Sequence, residues 1–138
     1  TVDNAALLAA IGSDFLEPDE PVASPAQVNA ERDRRLEAGA VVNISGYGDV
    51  LLQGRAVDQI NLIALSDTAK ELIEAGHGSM QLAFRDGGDV VHQLTPAQVL
   101  EMSRKGKAAA SAIYSASWAL KDAAVIPLDF SDDKHWPS

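Results

Sequence analysis

The sequence predicts an α+β fold with two short β-hairpins, two main packed helices, one long C-terminal helix and extended arms at both ends. Apolar residues recur at helical spacing from Thr95 to about Ala124. Glycine-bearing turns separate two pairs of β-rich runs, and prolines interrupt an acidic segment near the N-terminus. We therefore divide the chain into an N-terminal arm (1–23), a body (24–124) and a C-terminal tail (125–138).

The N-terminal arm joins a short amphipathic helix to a proline-containing linker. Residues 2–16 have helical periodicity. The apolar side of this helix consists of Leu7, Leu8, Ile11 and Phe15. Residues 17–23 are acidic and include Pro18 and Pro21, which favours an extended, semi-rigid linker.

The body begins with a capped, highly charged helix. Ser24 is a suitable N-cap, with Pro25 at the first helical position and Gln27 placed to complete a capping box. The helix is expected to end at Gly39. A weak inner edge is offered by Val28, by Arg32 through its stem, and by Leu36 or Arg35. The rest of the charged helix is typical of a solvated face, and a recognition surface is the alternative interpretation of the run from Glu31 to Arg35.

Two hairpins flank a second helix. The first is predicted over residues 40–53 and the second over residues 80–93, each with glycine in its turn. Between them, residues 55–75 are helical by period, and Gly76 ends the helix. We predict that the buried side of this helix consists of Val57, Ile60, Ala64, Leu65, Leu72 and Ile73.

The long C-terminal helix has the clearest signals in the sequence. Thr95, Pro96 and Gln98 repeat the capping pattern of the first helix. The apolar stripe then comprises Val99, Met102, Gly106, Ala109 or Ala110, Ile113, Ala116 or Ser117, Leu120 and Ala124. At about 1.5 Å per residue the helix spans roughly 45 Å. It either pairs with residues 56–75 of the same chain or forms a coil between subunits.

Composition argues against several kinds of partner. The 138 residues have a formal net charge of −9, which disfavours binding to nucleic acid or to an anionic membrane surface. No apolar run approaches the roughly 20 residues of a membrane-spanning helix. Aromatic residues make up 5% of the chain, so the core is expected to be thin and to gain stability from neighbouring proteins.

No motif indicates a catalytic, cofactor or metal site. His77 lies near Ser79, but no acid is placed to orient it, and a glycine-rich turn is the better interpretation. The acidic Asp86–Asp89 segment lacks the ligand spacing of a calcium loop and fits a hairpin turn. The histidines show no metal-ligand spacing. We therefore predict no enzyme, although a small enzyme built from His77, Ser79 and Asp86 is an alternative.

The charged helix resembles the opening of a family of uncharacterised phage and prophage domains. That family opens with an N-x-E-R-D-R-R-aliphatic-x-x-G helix, here Val28 to Gly39. The other stretches that resemble the family are Val57–Asn61, Asp86–Gly88, Leu94–Leu100 and Ala119–Asp122. The resemblance covers about residues 27–123. The family occurs among tail, tail-fibre and fibre-assembly genes of tailed bacteriophages.

The resemblance implies a non-enzymatic structural component of a tailed-phage virion, located in the tail, a fibre or the distal tail complex. It implies a chain made in the bacterial cytoplasm, with other virion proteins or further copies of itself as partners. A tail-fibre assembly chaperone absent from the mature particle is the alternative. Because polar arms commonly order on a neighbour, we expect the terminal arms to contact these partners. The candidate partner-binding residues are Phe15, Leu128, Phe130 and Trp136.

Overall fold

A computed structural model describes residues 22–138 of the chain. The predicted helix of residues 2–16 lies outside the described residues. The elements, in chain order, are α1 (Pro25–Ala38), β1 (Ala40–Ile44), β2 (Gly48–Leu52), α2 (Ala56–Glu74), β3 (Leu82–Arg85), β4 (Val91–Leu94), α3 (Pro96–Asp122) and a 3-10 turn (Asp133–His135). The α+β class, the two hairpins and the long C-terminal helix are confirmed.

The four strands form two separate antiparallel hairpins. β1 pairs with β2 so that Val42 lies opposite Val50, and β3 pairs with β4 so that Phe84 lies opposite His92. In β1 and β2, alternate side chains are buried and the intervening ones remain more accessible. Each hairpin therefore presents one apolar face to the helices.

The helix starts follow the capping residues. The Ser24 and Thr95 side chains each accept a hydrogen bond from a backbone N–H three residues later. The Gln27 and Gln98 side chains accept in return from the N–H groups of the two caps. Both α1 and α3 therefore begin with complete capping boxes.

α3 packs within the chain and divides the core into two clusters. Its first half, through Val99 and Met102, packs with both hairpins and α2. Its second half, through Ile113 and Leu120, packs with α1 and the tail. The predicted packing of the long helix against residues 56–75 is confirmed, since α2 packs more extensively against α3 than against any other element.

The predicted buried side of α2 is wrong. The buried residues of this helix are Leu62, Ser66 and Ala69. The predicted residues that the structure exposes are Val57, Ile60, Ala64 and Ile73, whereas Leu65 and Leu72 are partly buried. The cause is the shape of α3: Gly106 lacks a side chain, and methyl groups of Leu62 and Leu52 fill the space beside it. Packing thus selects the helix face that bears Leu62.

The C-terminal tail is not extended, which corrects the prediction. Successive backbone hydrogen bonds turn the chain back on itself, including Phe130 N–H to Pro127 C=O and Trp136 N–H to Asp133 C=O. Trp136 is 6% exposed and packs in the cluster formed by α1 and α3. Its indole N–H donates to the Phe130 carbonyl at 2.7 Å. Burial of the indole holds the tail against the body.

Candidate functional site

The two hairpins meet at a partly buried network of polar side chains. Tyr47 lies in the turn between β1 and β2, Asp86 in the turn after β3, and His92 on β4. The Tyr47 hydroxyl lies 2.5 Å from His92 Nδ1, and His92 Nε2 lies 2.7 Å from the Asp86 Oδ2. The side chains of His92 and Asp86 are 8% and 7% exposed. We call these three residues the hairpin network.

Asp86 is held as a carboxylate. Its burial acts to raise the pKa of the carboxyl group, but hydrogen bonds from His92, Val90 N–H and Gly88 N–H outweigh it and lower the pKa below the ordinary value. The two backbone donors lie 3.0 and 2.8 Å from Oδ1. The hairpin turn therefore fixes an ionised acid against the imidazole.

The turn that carries Tyr47 is tied to α3. The Glu101 carboxylate accepts hydrogen bonds from the backbone N–H and the hydroxyl of Ser45. It also pairs with Lys105 at 2.9 Å. These contacts fix the position of the tyrosine backbone two residues further on.

Glu101 is expected to make the folded state sensitive to acid. Hydrogen bonds from Lys105 and Ser45 lower the pKa of Glu101 from 4.5 to about 2. Because the folded-state pKa is the lower one, the stabilisation is present above pH 4.5 and is lost as the pH falls toward 2. Urea denaturation across this window is expected to show a weaker loss of stability for Glu101→Gln than for the wild type.

The matched control for this measurement is Glu71→Gln. Glu71 is exposed on α2, and its carboxylate makes no ion pair within residues 22–138. This variant should follow the wild-type pH dependence. If Glu101→Gln loses as much stability as the wild type when the pH falls, the role assigned to Glu101 is contradicted.

The charged run of α1 is a structural clasp: Arg32 and Arg35 lie on the inner edge of the helix, as predicted, whereas Asp33 and Arg34 are exposed. The Arg35 guanidinium donates hydrogen bonds to the Glu31 carboxylate, the Ser131 carbonyl and the Asp133 carboxylate. It also lies 5.1 Å from the centroid of the Trp136 ring system. The Arg32 guanidinium lies 5.3 Å from the ring centroid of Tyr114 on α3. The run therefore joins α1 to α3 and to the tail.

A second candidate surface is the outward side of α2. Val57, Ile60 and Ile63 are 54%, 64% and 61% exposed, and Ala64 is exposed beside them. They lie in the first two and a half turns of the helix and share one side of it. We call these four residues the α2 apolar face. A shallow groove lined by Gln59, Leu62, Ile63, Ser103 and Lys107 separates this face from α3.

The structure disperses the predicted partner-binding residues. Leu128 is 58% exposed, Phe130 is partly buried and Trp136 is buried. Phe15 lies outside the described residues. In this conformation Phe130 and Trp136 pack against the chain's own helices, because the tail turns back onto them. Val125, which is not among the predicted partner-binding residues, is exposed close to Leu128 in the chain.

The residues of the alternative enzyme site are not brought together. His77 and Ser79 lie in the exposed segment between α2 and β3, whereas Asp86 bonds His92. Within residues 22–138, no cluster of three potential metal ligands is found. In the same part of the chain, no helix is long and apolar enough to cross a membrane. The hairpin network was not anticipated from the sequence.

One comparison with known proteins gives a match. Residues 19–134 match a family model described as a domain of unknown function (DUF4376). This match covers both hairpins, all three described helices and most of the tail. No significant match was found among curated proteins or among solved structures.

Proposed function

We propose that this chain, which belongs to the DUF4376 family, is a non-enzymatic structural component of a tailed bacteriophage virion. In this proposal it contacts neighbouring proteins in the tail, a fibre or the distal tail complex. The observation that carries the proposal is the α2 apolar face, which places three large aliphatic side chains in solvent on a well-packed helix.

The α2 apolar face supports a docking role on energetic grounds. Aliphatic side chains exposed together on one helix side gain free energy when a partner removes them from water. Since Leu62, Ser66 and Ala69 already anchor α2 to the body, the exposed side is free to receive a partner without disturbing the core. The partner we propose is an amphipathic helix of a neighbouring tail protein, laid along the groove between α2 and α3.

The phage assignment is supported by the sequence resemblance. The most specific part of that resemblance is the charged run of α1, and this run forms the clasp that holds the tail. Its residues therefore have a defined structural task. The exposed Val125 and Leu128, together with the N-terminal arm, are further proposed contact points.

The test is the composition of purified particles. Virions from cells that carry the gene should contain the chain at a fixed stoichiometry to the other tail proteins, as measured by quantitative mass spectrometry. The alternative, an assembly chaperone, predicts a chain that is abundant in the lysate and absent from the particles. Absence from particles combined with normal particle assembly in a deletion strain would contradict both functions.

Substitution of Ile60 with aspartate tests the docking face. Ile60 is 64% exposed, so Ile60→Asp should change the free energy of unfolding by no more than about 1 kcal/mol. A charge at the centre of a docked apolar surface should weaken partner binding at least about tenfold. Incorporation into particles, or binding to the partner recovered with the wild type, provides the measurement.

The control substitution is Thr68→Asp on the same helix. It adds the same charge at an exposed polar position outside the α2 apolar face. Full incorporation of both variants would show that α2 is not the contact surface and would leave the virion assignment to be decided by particle composition.

A further inference from the structure

We propose that Tyr47 is a site of covalent acylation, with its phenol activated by His92 and Asp86. The inference is independent of the structural role proposed above and concerns a different surface. The hairpin network places a hydroxyl, an imidazole and a carboxylate in series, with both connecting distances inside hydrogen-bonding range. Proteins activate a nucleophilic hydroxyl by aligning it in this way with a base and an acid that orients the base.

The hydrogen bonds determine which nitrogen of His92 is protonated. Asp86 is ionised and can only accept hydrogen bonds. His92 Nε2 must therefore donate to Asp86, and in the neutral ring the lone pair then resides on Nδ1. The Tyr47 hydroxyl is the donor to that lone pair. The imidazole thus faces the phenol as a base, with the buried carboxylate positioned to stabilise the imidazolium ion that would form.

The reaction follows from this arrangement. The Tyr47 oxygen attacks the carbonyl carbon of an activated acyl donor while its proton passes to His92 Nδ1. The tetrahedral intermediate then expels the leaving group with its bonding electrons, and His92 returns the proton to that group. The product is an acyl ester of Tyr47, and no oxidant or reductant is consumed.

The surroundings of Tyr47 favour a donor that is uncharged at the reacting carbon. Asp49 is two residues away on β2 and Asp86 bonds the far side of the His92 ring, whereas Lys105 of α3 is paired with Glu101. These carboxylates would repel phosphoryl donors. Tyr47 is 40% exposed, so a small acyl donor can reach the side chain while its base remains buried.

The probe that tests the proposal is N-acetylimidazole, applied to the full chain. Acetylation of Tyr47 and Tyr114 is followed over time by peptide mass spectrometry. An ordinary tyrosine reacts more slowly in a folded protein than in the unfolded chain, because folding restricts access. We expect the opposite for Tyr47, with a rate on the order of 10-fold or more above that in urea, since a positioned general base contributes such factors. Tyr114 should be slower in the folded chain.

Asp86→Asn isolates the role of the base. The asparagine carbonyl can still accept from the Gly88 and Val90 N–H groups, which preserves the turn. Its amide would donate to His92 Nε2, which moves the imidazole proton to Nδ1 and removes the lone pair facing Tyr47. The Tyr47 rate should fall on the order of 100-fold, whereas the Tyr114 rate should stay at its wild-type value.

Two results would overturn the proposal. One is a Tyr47 rate in the folded wild-type chain that is no higher than in urea, a comparison that does not depend on any variant. The other is a Tyr47 rate in folded Asp86→Asn equal to that of the wild type, which would leave the hairpin network with a purely structural role. Retention of the far-ultraviolet circular dichroism spectrum establishes that the variant is folded.

Discussion

Replacing Trp136 with alanine is expected to lower the free energy of unfolding by about 3–5 kcal/mol. The indole is 6% exposed and packs in the cluster that also contains Val28 and Leu36 of α1 and Leu120 of α3. Its removal leaves a cavity, frees the Phe130 carbonyl and takes away the ring beside the Arg35 guanidinium. Urea denaturation followed by far-ultraviolet circular dichroism measures the change.

The chain contains its own control, because its second tryptophan is exposed. Trp118 lies on α3 with 54% of its surface accessible. Trp118→Ala should lower the free energy of unfolding by no more than about 1 kcal/mol. Equal losses for the two variants would mean that Trp136 does not pack the tail onto the body.

Gly39→Ala is expected to lower the free energy of unfolding by about 3–5 kcal/mol, because backbone strain and steric conflict act together. Gly39 has φ 85° and ψ −179°, a region essentially restricted to glycine. A Cβ atom there would lie 2.6 Å from the Leu52 carbonyl oxygen. Because that neighbour is backbone in β2, neither side can yield without disturbing the first hairpin.

Gly76→Ala separates the effect of backbone strain from the effect of steric conflict. Gly76 has φ 80°, but a Cβ atom there would meet no atom within 4 Å. Only the conformational strain should remain, which costs about 1–2 kcal/mol. Denaturation curves of the two variants measured side by side would show the difference. A Gly39→Ala protein as stable as Gly76→Ala would exclude the close approach of α1 to β2.

The element boundaries could be predicted because local chemistry determines them. Ser24 and Thr95 begin helices through their own side-chain hydrogen bonds, and Gly39 ends α1 with a backbone conformation that other residues rarely adopt. These signals act within three or four residues. They do not depend on what the rest of the chain does, so one sequence is sufficient to find them.

The buried side of α2 could not be predicted because the helix is apolar on more than one side. Ile60 and Leu62 are both large and aliphatic, and their positions differ by more than half a turn. Periodicity alone cannot choose between them. The choice depends on Gly106, which is 44 residues further along the chain than Leu62 and leaves space that Leu62 shares with Leu52 of the first hairpin.

The hairpin network was missed for a related reason. The second-hairpin residues Asp86 and His92 lie six positions apart on either side of a tight turn, a spacing that could have suggested a contact. Tyr47 comes from the other hairpin, 45 residues before His92. No local rule links the two hairpins, which meet through their packing on α3 and through the hydrogen bond from Gly87 N–H to the Leu51 carbonyl.

The division of the core along α3 has a consequence for how the molecule opens. One half of the helix holds the hairpins and α2, whereas the other half holds α1 and the tail. Each half has its own buried cluster, so the tail, which packs in the second cluster, can detach while the hairpins stay closed and α1 stays bonded to the first hairpin through the Leu36 carbonyl and Gly54 N–H. Amide protons in the two halves should then exchange with different opening free energies. A partner bound to the α2 apolar face would slow amide exchange in the half that holds the hairpins and leave amide exchange in the tail unchanged.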